Sequence, residues 1–253
     1  MSKLLTLLRD LSRRKARERR GLALIEGVRL VEEALAAGLA LEGAVVSPAL
    51  EATDRGRALQ AALTARGVPL EPVDATQLAE LADTEHPQGI VAAVTPPAWT
   101  LAGLGAGPVL VLDAVQDPGN VGTMLRTALA LGAGGVVALP GTAELANPKV
   151  LRAAMGAAFR LPHLAVEERE LLAWAAAAGR PLWATAMDGE DVRRAPVDGA
   201  APLLVLGNEG AGVRATLAEA AARRVAIPIA PGAESLNVAT AAALFLWEFA
   251  RAR

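Results

Sequence analysis

The chain has 253 residues, 53% apolar and 21% charged, a globular composition that excludes an intrinsically disordered protein. It has no cysteine, which removes disulfides, thiolate metal sites and cysteine nucleophiles together, and no apolar run long enough to span a bilayer. The net charge of −2 hides an asymmetry: residues 1–20 hold eight Lys/Arg against Asp10 and Glu18, or +6, so the remainder carries −8. An acidic body with a basic end points to an anionic partner met at that end, and Arg13, Arg14, Lys15 and Arg17 are its candidate RNA contacts. The basic N-terminus lacks the apolar core of a signal peptide, so a cytoplasmic location is expected. With 3% aromatics and no Tyr, an aromatic platform for stacked bases is not expected.

In chain order, Leu4, Leu7, Leu8 and Leu11 recur at helical spacing, so the basic segment opens as an amphipathic helix that Gly21 ends. Residues 22–25 read as a strand, 28–37 as a helix, 44–46 as a strand and 53–66 as a helix. PLEPV then precedes Asp74, which with Gln77 forms a capping box for a short helix, and GIVAAV (89–94) is a fourth strand. The stretch TPPAWTLAGLGAGP is punctuated by Gly and Pro and reads as a linker. Beyond it, strands at 109–112, 135–139, 182–187, 203–206 and 225–229 alternate with helices at 121–131, 148–158, 171–178, 215–222 and 238–250. Such alternation means a mostly parallel sheet covered on both faces. The expected organisation is a basic helix or arm over 1–20, a small α/β domain over 21–95, a linker over 96–108 and a larger α/β domain over 109–253.

Three strand-to-loop units in the larger domain carry candidate chemistry, and loops at the carboxyl ends of parallel strands are where such sheets build sites. In DAVQDPGNVGTMLRTALALG, Asn120 opens a helix and Arg126 lies six residues on, on its second turn, so both are expected to point back towards the strand ends, where an amide, a guanidinium and free backbone N–H groups suit phosphate or ribose. A helix cap and a surface ion pair are equally open for those two residues. In LGNEGAGV, Gly207, Gly210 and Gly212 permit close backbone approach, while Glu209 either orients a ligand or faces water. In VAIPIAPGAESLN, Ser235 and Asn237 precede the last helix and could also cap it. Only His86 and His163 occur, no GxSxG elbow is present, and the carboxylates are scattered, so neither a Ser-His hydrolase nor a metal site is expected.

Together NVGTMLRTALALG, LGNEGAGV and IPIAPGAESLNVATAAALFLWE resemble, in order and spacing, the three motifs of the SpoU (TrmH) RNA 2′-O-ribose methyltransferases. ANPKVLRAAMGAAFRLPH is also similar to that family, although Ala154 stands where Ser is common and Trp247 where Tyr is commoner. RRGLALIEGVRLVEEALAAG through HPQGIVAAV resembles the small substrate-binding domain often fused to it. The resemblance implies a parallel sheet ending in a deep trefoil knot, whose loops hold S-adenosylmethionine through Leu206, Gly207, Gly210, Ile227, Pro228, Leu236 and Asn237. It implies a catalytic group of Arg126, Asn120, Glu209, Ser235 and Asn237, with Arg126 activating the ribose hydroxyl and touching RNA. It further implies a homodimer packed through the first motif and the last helix, and structured RNA as substrate, ribosomal RNA ahead of tRNA, with no metal. Two rival readings are an inactive RNA-binding ribosome-associated protein and a nucleotide-binding oxidoreductase. The second lacks the GxGxxG opening that its cofactor needs.

Overall fold

A computed structural model describes residues 2–195 and 199–251. The chain divides into two compact units, Met1–Pro97 with Ala146–Phe159, and Ala98–Leu145 with Arg160–Arg253.

In the first unit, α1 (Lys3–Leu11) starts at Ser2, whose hydroxyl accepts from the Leu5 N–H. Leu5, Leu8 and Leu11 are buried in a core shared with Leu24, Val45 and Val91. The helix is therefore part of the domain's core and not a detached arm. The chain breaks at Ser12–Arg13 and resumes as α2 (Arg14–Arg20), closed by Gly21 in the left-handed conformation at φ 64°. Arg17, expected to face RNA, is 5% exposed and donates to the carbonyls of Leu11 at 2.8 Å and Ser12 at 2.9 Å. It satisfies the orphan carbonyls that end α1, which is a structural task. Arg14 pairs with Glu18 at 2.7 Å and Arg20 with Asp10 at 3.1 Å, leaving Arg13, Lys15 and Arg19 exposed as the cations of this segment with no such partner.

There follow β1 (Ala23–Glu26), α3 (Val28–Ala36), β2 (Leu41–Val46), α4 (Pro48–Glu51), α5 (Asp54–Ala65), β3 (Leu70–Pro72), α6 (Ala75–Ala79) and β4 (Ile90–Val94). The capping box read at Asp74 and Gln77 is present at α6. The sheet order is β1-β4-β2-β3, with β4 antiparallel to both neighbours and β2 parallel to β3. All five residues of β4 are buried, as a central strand requires.

The second unit holds β5 (Val109–Leu112), α7 (Pro118–Ala130) and β6 (Gly135–Ala138). After β6, α8 (Pro148–Ala154) goes with the first unit, where Val150, Leu151 and Ala154 are buried and the helix lies on β1. The second unit resumes with β7 (His163–Ala165), α9 (Glu168–Ala177), β8 (Leu182–Asp191), β9 (Leu203–Leu206), α10 (Ala215–Ala220), β10 (Arg223–Ala226) and α11 (Val238–Arg251). Its sheet runs β10-β8-β9-β5-β6-β7 and every pairing is parallel. Strand β7 was not legible in the sequence, being three residues between Pro162 and Val166. Much of the expected linker is fastened to this unit: Leu101 is buried in its core, and Arg180 donates to the carbonyls of Gly105 at 3.0 Å and Gly107 at 2.5 Å.

Strand β8 is longer than expected because it leaves its ladder and rejoins it. Trp183 and Ala184 face Arg223 and Arg224 of β10, and the next pairs are Glu190–Val225 and Asp191–Ala226. Five residues of β8, 185–189, are thereby thrown out of register against one strand. Gly189 marks the return, since a Cβ there would lie 2.6 Å from the Val225 backbone. No helix among the described residues is long and apolar enough to cross a membrane.

Because α1 is core, Leu8→Ala is expected to cost about 2–5 kcal/mol in denaturant unfolding, the usual range for emptying a fully buried leucine. A change below about 0.5 kcal/mol would place the helix outside the cooperative unit.

Candidate functional site

The carboxyl ends of β8, β9 and β10 open into a cavity of about 350 Å³ in the second unit. Its wall is built from the displaced residues Thr185, Ala186 and Met187, from Leu206, Gly207 and Glu209 after β9, and from Ile227 and Ile229 after β10. Ser235, Leu236 and Asn237 line it just before α11, and Phe245 closes it from that helix. Among the expected cofactor residues, Leu206, Gly207, Ile227, Leu236 and Asn237 lie on this wall; Gly210 and Pro228 do not. Thr185–Met187 escaped the sequence reading because they sit inside a continuous apolar strand, and only the register shift turns them to the cavity.

The three loops are joined by one chain of carboxamides. Asn237 Oδ1 accepts from the N–H groups of Ala239 at 3.0 Å and Thr240 at 3.2 Å, so it caps α11. With its oxygen committed, its Nδ2 points away and donates to Asn120 Oδ1 at 3.0 Å. Asn120 in turn donates through Nδ2 to Glu209 Oε1 at 3.0 Å. The helix carrying Asn120 begins earlier than the sequence suggested: Pro118 is its first residue, and Asp117 is the cap, accepting from the Asn120 N–H at 2.7 Å. That leaves the Asn120 side chain free for the relay. Ser235 shares the cavity wall. Arg126 does not join this group. Six residues beyond Asn120 at 100° per residue places it about 120° round the helix from Asn120. It is exposed, and no hydrogen bond or ion pair ties its side chain to another described residue.

The loop that bears Glu209 is fixed from beneath. Asn208 accepts from its own loop at the N–H groups of Gly210 (3.0 Å) and Ala211 (3.1 Å), and donates to the Ala114 carbonyl at 3.0 Å. Ala114 itself sits at φ 57°, a strained setting for a residue with a Cβ, held by these contacts. Gly207 cannot be replaced without opening the loop, because a Cβ would stand 2.1 Å from the Gly212 backbone carbon. Further on, Arg214 donates from its backbone N–H to Asp113 Oδ2 at 2.8 Å and from Nε to Asp113 Oδ1 at 2.6 Å. Asp113, 2% exposed, directly follows β5, so the pair clamps the loop to the end of that strand. Hydrogen bonding to Asp113 pushes the Arg214 guanidinium above its ordinary value, with a smaller contribution from Glu168. Neither Asp113 nor Arg214 was singled out from sequence; an Asp at the end of an apolar strand was the available signal.

Among the described residues, no group of three or more His, Asp and Glu could hold a metal ion. What the cavity offers is apolar wall with unspent backbone donors: the N–H groups of Ile227 and Leu236 have no backbone partner among the described residues. Arg214→Ala would strand the Asp113 charge, at a cost of about 3 kcal/mol, the lower end for a broken buried pair because a third of the Arg214 side chain reaches solvent. Thermal or urea unfolding of that variant and of Asp113→Ala/Arg214→Ala checks this: the double substitution should cost less than the sum of the singles, and strict additivity would refute the clamp.

Comparison with known proteins gives the same outline from another side. Residues 107–247 match the SpoU rRNA Methylase family, and residues 5–92 match the MRM3-like substrate binding domain. The chain is 38% identical over 244 residues to the 23S rRNA (guanosine(2553)-2′-O)-methyltransferase RlmP of Bacillus subtilis, covering 94% of this chain and 92% of that one. The crystal structure of the SpoU methyltransferase AviRb from Streptomyces viridochromogenes, in complex with the cofactor AdoMet, superposes with a TM-score of 0.86 at 29% identity, covering 99% and 98% of the two chains. An AdoMet-bound rRNA methyltransferase from Sinorhizobium meliloti does so at 0.84 and 30%, covering 98% and 94%. An all-parallel sheet with its cavity at the strand ends, three loops tied through Asn237, Asn120 and Glu209, and these matches over nearly the whole length lead to one conclusion: the chain belongs to the SpoU rRNA methylase family.

Proposed function

We propose that this chain methylates a ribose 2′-hydroxyl in structured RNA, using S-adenosylmethionine, and that ribosomal RNA is its substrate class. The observation that carries the reading is the 350 Å³ cavity beside the Asn237–Asn120–Glu209 relay. The cavity's residues fit the cofactor: Leu206, Leu236 and Phe245 offer apolar contact for an adenine, and the free N–H groups of Ile227 and Leu236 offer hydrogen bonds to its ring nitrogens. When bound there, S-adenosylmethionine supplies an electrophilic methyl group on a sulfonium sulfur.

The chain's own residues do the rest. A 2′-hydroxyl is a weak acid and a weak nucleophile, so it must be aligned with the methyl group and give up its proton to solvent water as it attacks. Asn120, held by Asn237 and holding Glu209, both of which line the cavity, presents a fixed polar edge beside it for the ribose. Arg126, exposed and unpaired on α7, meets the RNA from the solvent side. A guanidinium stays protonated in water, so its contribution is positive charge placed where the hydroxyl oxygen gains negative charge. Ser235 and Glu209 complete the polar rim. In keeping with the family resemblance, we assign the segment around β8, β10 and residues 227–237 to a trefoil knot, and the working location to the cytoplasm.

The same reading includes a homodimer. Leu244 and Trp247, 40% and 56% exposed, sit three residues apart on α11, whose opposite side carries the buried Phe245 and Phe249. An exposed apolar pair of that size on a helix is what a second copy would cover.

Methyl transfer from labelled S-adenosylmethionine to ribosomal RNA and, in parallel, to tRNA tests the activity and its substrate class; activity on tRNA alone would overturn the ribosomal assignment. Arg126→Ala should abolish transfer while the cofactor Kd, measured by calorimetry, stays within about twofold; a lost cofactor affinity would show that the residue serves binding instead. Asn237→Asp separates two roles, since aspartate still caps α11 but cannot donate to Asn120. Its melting temperature should stay near wild type while transfer falls about tenfold, the worth of one hydrogen bond. Trp247→Glu should halve the mass in sedimentation equilibrium, and an unchanged mass would remove α11 from the interface.

A further inference from the structure

The first unit contains a cavity of about 300 Å³ that the methyl-transfer reading does not use. It opens at the N-terminus of α3, a helix of nine residues whose Ncap is Gly27, with no side-chain cap of its own. Gln88 Oε1 accepts from the Val28 N–H at 3.0 Å, and the next two N–H groups, those of Arg29 and Leu30, have no hydrogen-bond partner among the described residues. Three arginines line the same space, Arg29, Arg55 and Arg152. Arg29 is exposed, its side chain without a hydrogen-bond or ion-pair partner among the described residues, while Arg55 is engaged along one edge with Glu32, its Nε 3.0 Å from a carboxylate oxygen.

Arg152 is the informative residue. Its Nη2 donates to Asp83 Oδ2 at 2.7 Å, yet its Nη1 is shut away from solvent with no hydrogen-bond partner. The nearest acceptor, Glu26 Oε2, stands 3.8 Å away, and that oxygen already accepts from the Asp83 N–H at 2.8 Å while Oε1 accepts from Thr84. The guanidinium is ion-paired through Asp83 and Glu26, but one of its donor atoms makes no hydrogen bond, which costs free energy. The side chain is 34% exposed and lines the cavity, so a small turn of the guanidinium would offer that donor to an acceptor seated there. The wall that carries Arg152 is built firmly: Met155 adopts φ 51° against its steric preference, and the following Gly156 has no room for a Cβ, which would lie 2.7 Å from Glu33 Cβ. Two helix N–H groups and the side chains of Arg29, Arg55 and Arg152, against the single lining carboxylate of Glu26, suit a tetrahedral anion with several acceptor oxygens.

We propose that this cavity seats a backbone phosphate of the RNA substrate, held by Arg29, Arg55 and Arg152 at the N-terminus of α3. The assignment rests on the RNA-methylation reading and extends it, for it gives the first unit a contact that fixes where the strand lies without reading its sequence. It also accounts for how a chain with 3% aromatics grips RNA without a stacking platform.

The test uses the full chain and two probes, a short RNA oligonucleotide and inorganic phosphate. His86 lines the cavity and the chain has only two histidines, so its imidazole resonance is a resolvable reporter in NMR. RNA should shift that resonance, and inorganic phosphate at the same phosphate concentration should not. Arg29→Ala, at an exposed helix position where alanine is well tolerated, should weaken binding alike for RNAs of different sequence. It should also flatten the slope of log K against log salt by about 0.7–0.9, the loss of one phosphate contact, with cofactor affinity unchanged. An unaltered slope in a protein that still binds and methylates RNA overturns the phosphate seat alone. A His86 shift produced equally by inorganic phosphate overturns the RNA source in favour of a free-anion site. A wild-type chain that binds no RNA overturns the methyltransferase reading itself.

Discussion

The side-chain amide of Asn237 is the point on which the second unit's geometry turns. Its oxygen is consumed by the first N–H groups of α11, and that single commitment decides the direction of every hydrogen bond downstream. The nitrogen must face Asn120, the Asn120 oxygen must receive it, and the Asn120 nitrogen must reach Glu209. Carboxamides carry one donor end and one acceptor end, so a relay of two has only one consistent orientation once either end is fixed. Three loops separated by 89 and 117 residues in sequence are thereby set in one arrangement by a helix cap.

The cavity beside that relay arises from a mismatch between two strands. Strand β8 carries five residues more than β10 can pair, and the surplus bulges at the carboxyl end of the sheet. The excess forms one wall, the loop after β9 another, and the segment before α11 the third. Parallel sheets concentrate such sites at their carboxyl ends because the connecting loops meet there. The loop after β9 is held from below by Asn208 on Ala114 and by Arg214 on Asp113, which explains how an exposed residue, Glu209, keeps a defined position. Rigid support of this kind is what a site needs if its polar groups are to act without first reorganising.

Much of this was legible in the sequence, for local reasons. Strands of continuous apolar residues, helices stopped by glycine and the Asp74–Gln77 box are short-range signals, and the structure contains them. The convergence of Asn120, Glu209, Ser235 and Asn237 followed from their shared place after parallel strands. What sequence could not give was anything set by long-range packing. Arg17 looks like every other cation in its run until the end of α1 needs a donor. The stretch 146–159 reads as part of the larger domain because it lies between two of that domain's strands, yet its apolar face is buried in the smaller one. Arg126 was expected to share the direction of Asn120; helical geometry turns it away, so its part in the chemistry depends on the RNA that meets it.

A double-mutant cycle between Asn120 and Asn237, read as single-turnover methyl transfer with saturating cofactor, tests the central claim most directly. Asn120→Ala, Asn237→Asp and their combination would be compared with the wild-type chain. If the two amides work as one relay, each single substitution slows transfer and the double is little worse than the slower single, a coupling of about 1 kcal/mol, most of the tenfold loss expected for Asn237→Asp alone. Rates that multiply independently, or a wild-type rate in either single variant, would contradict the account.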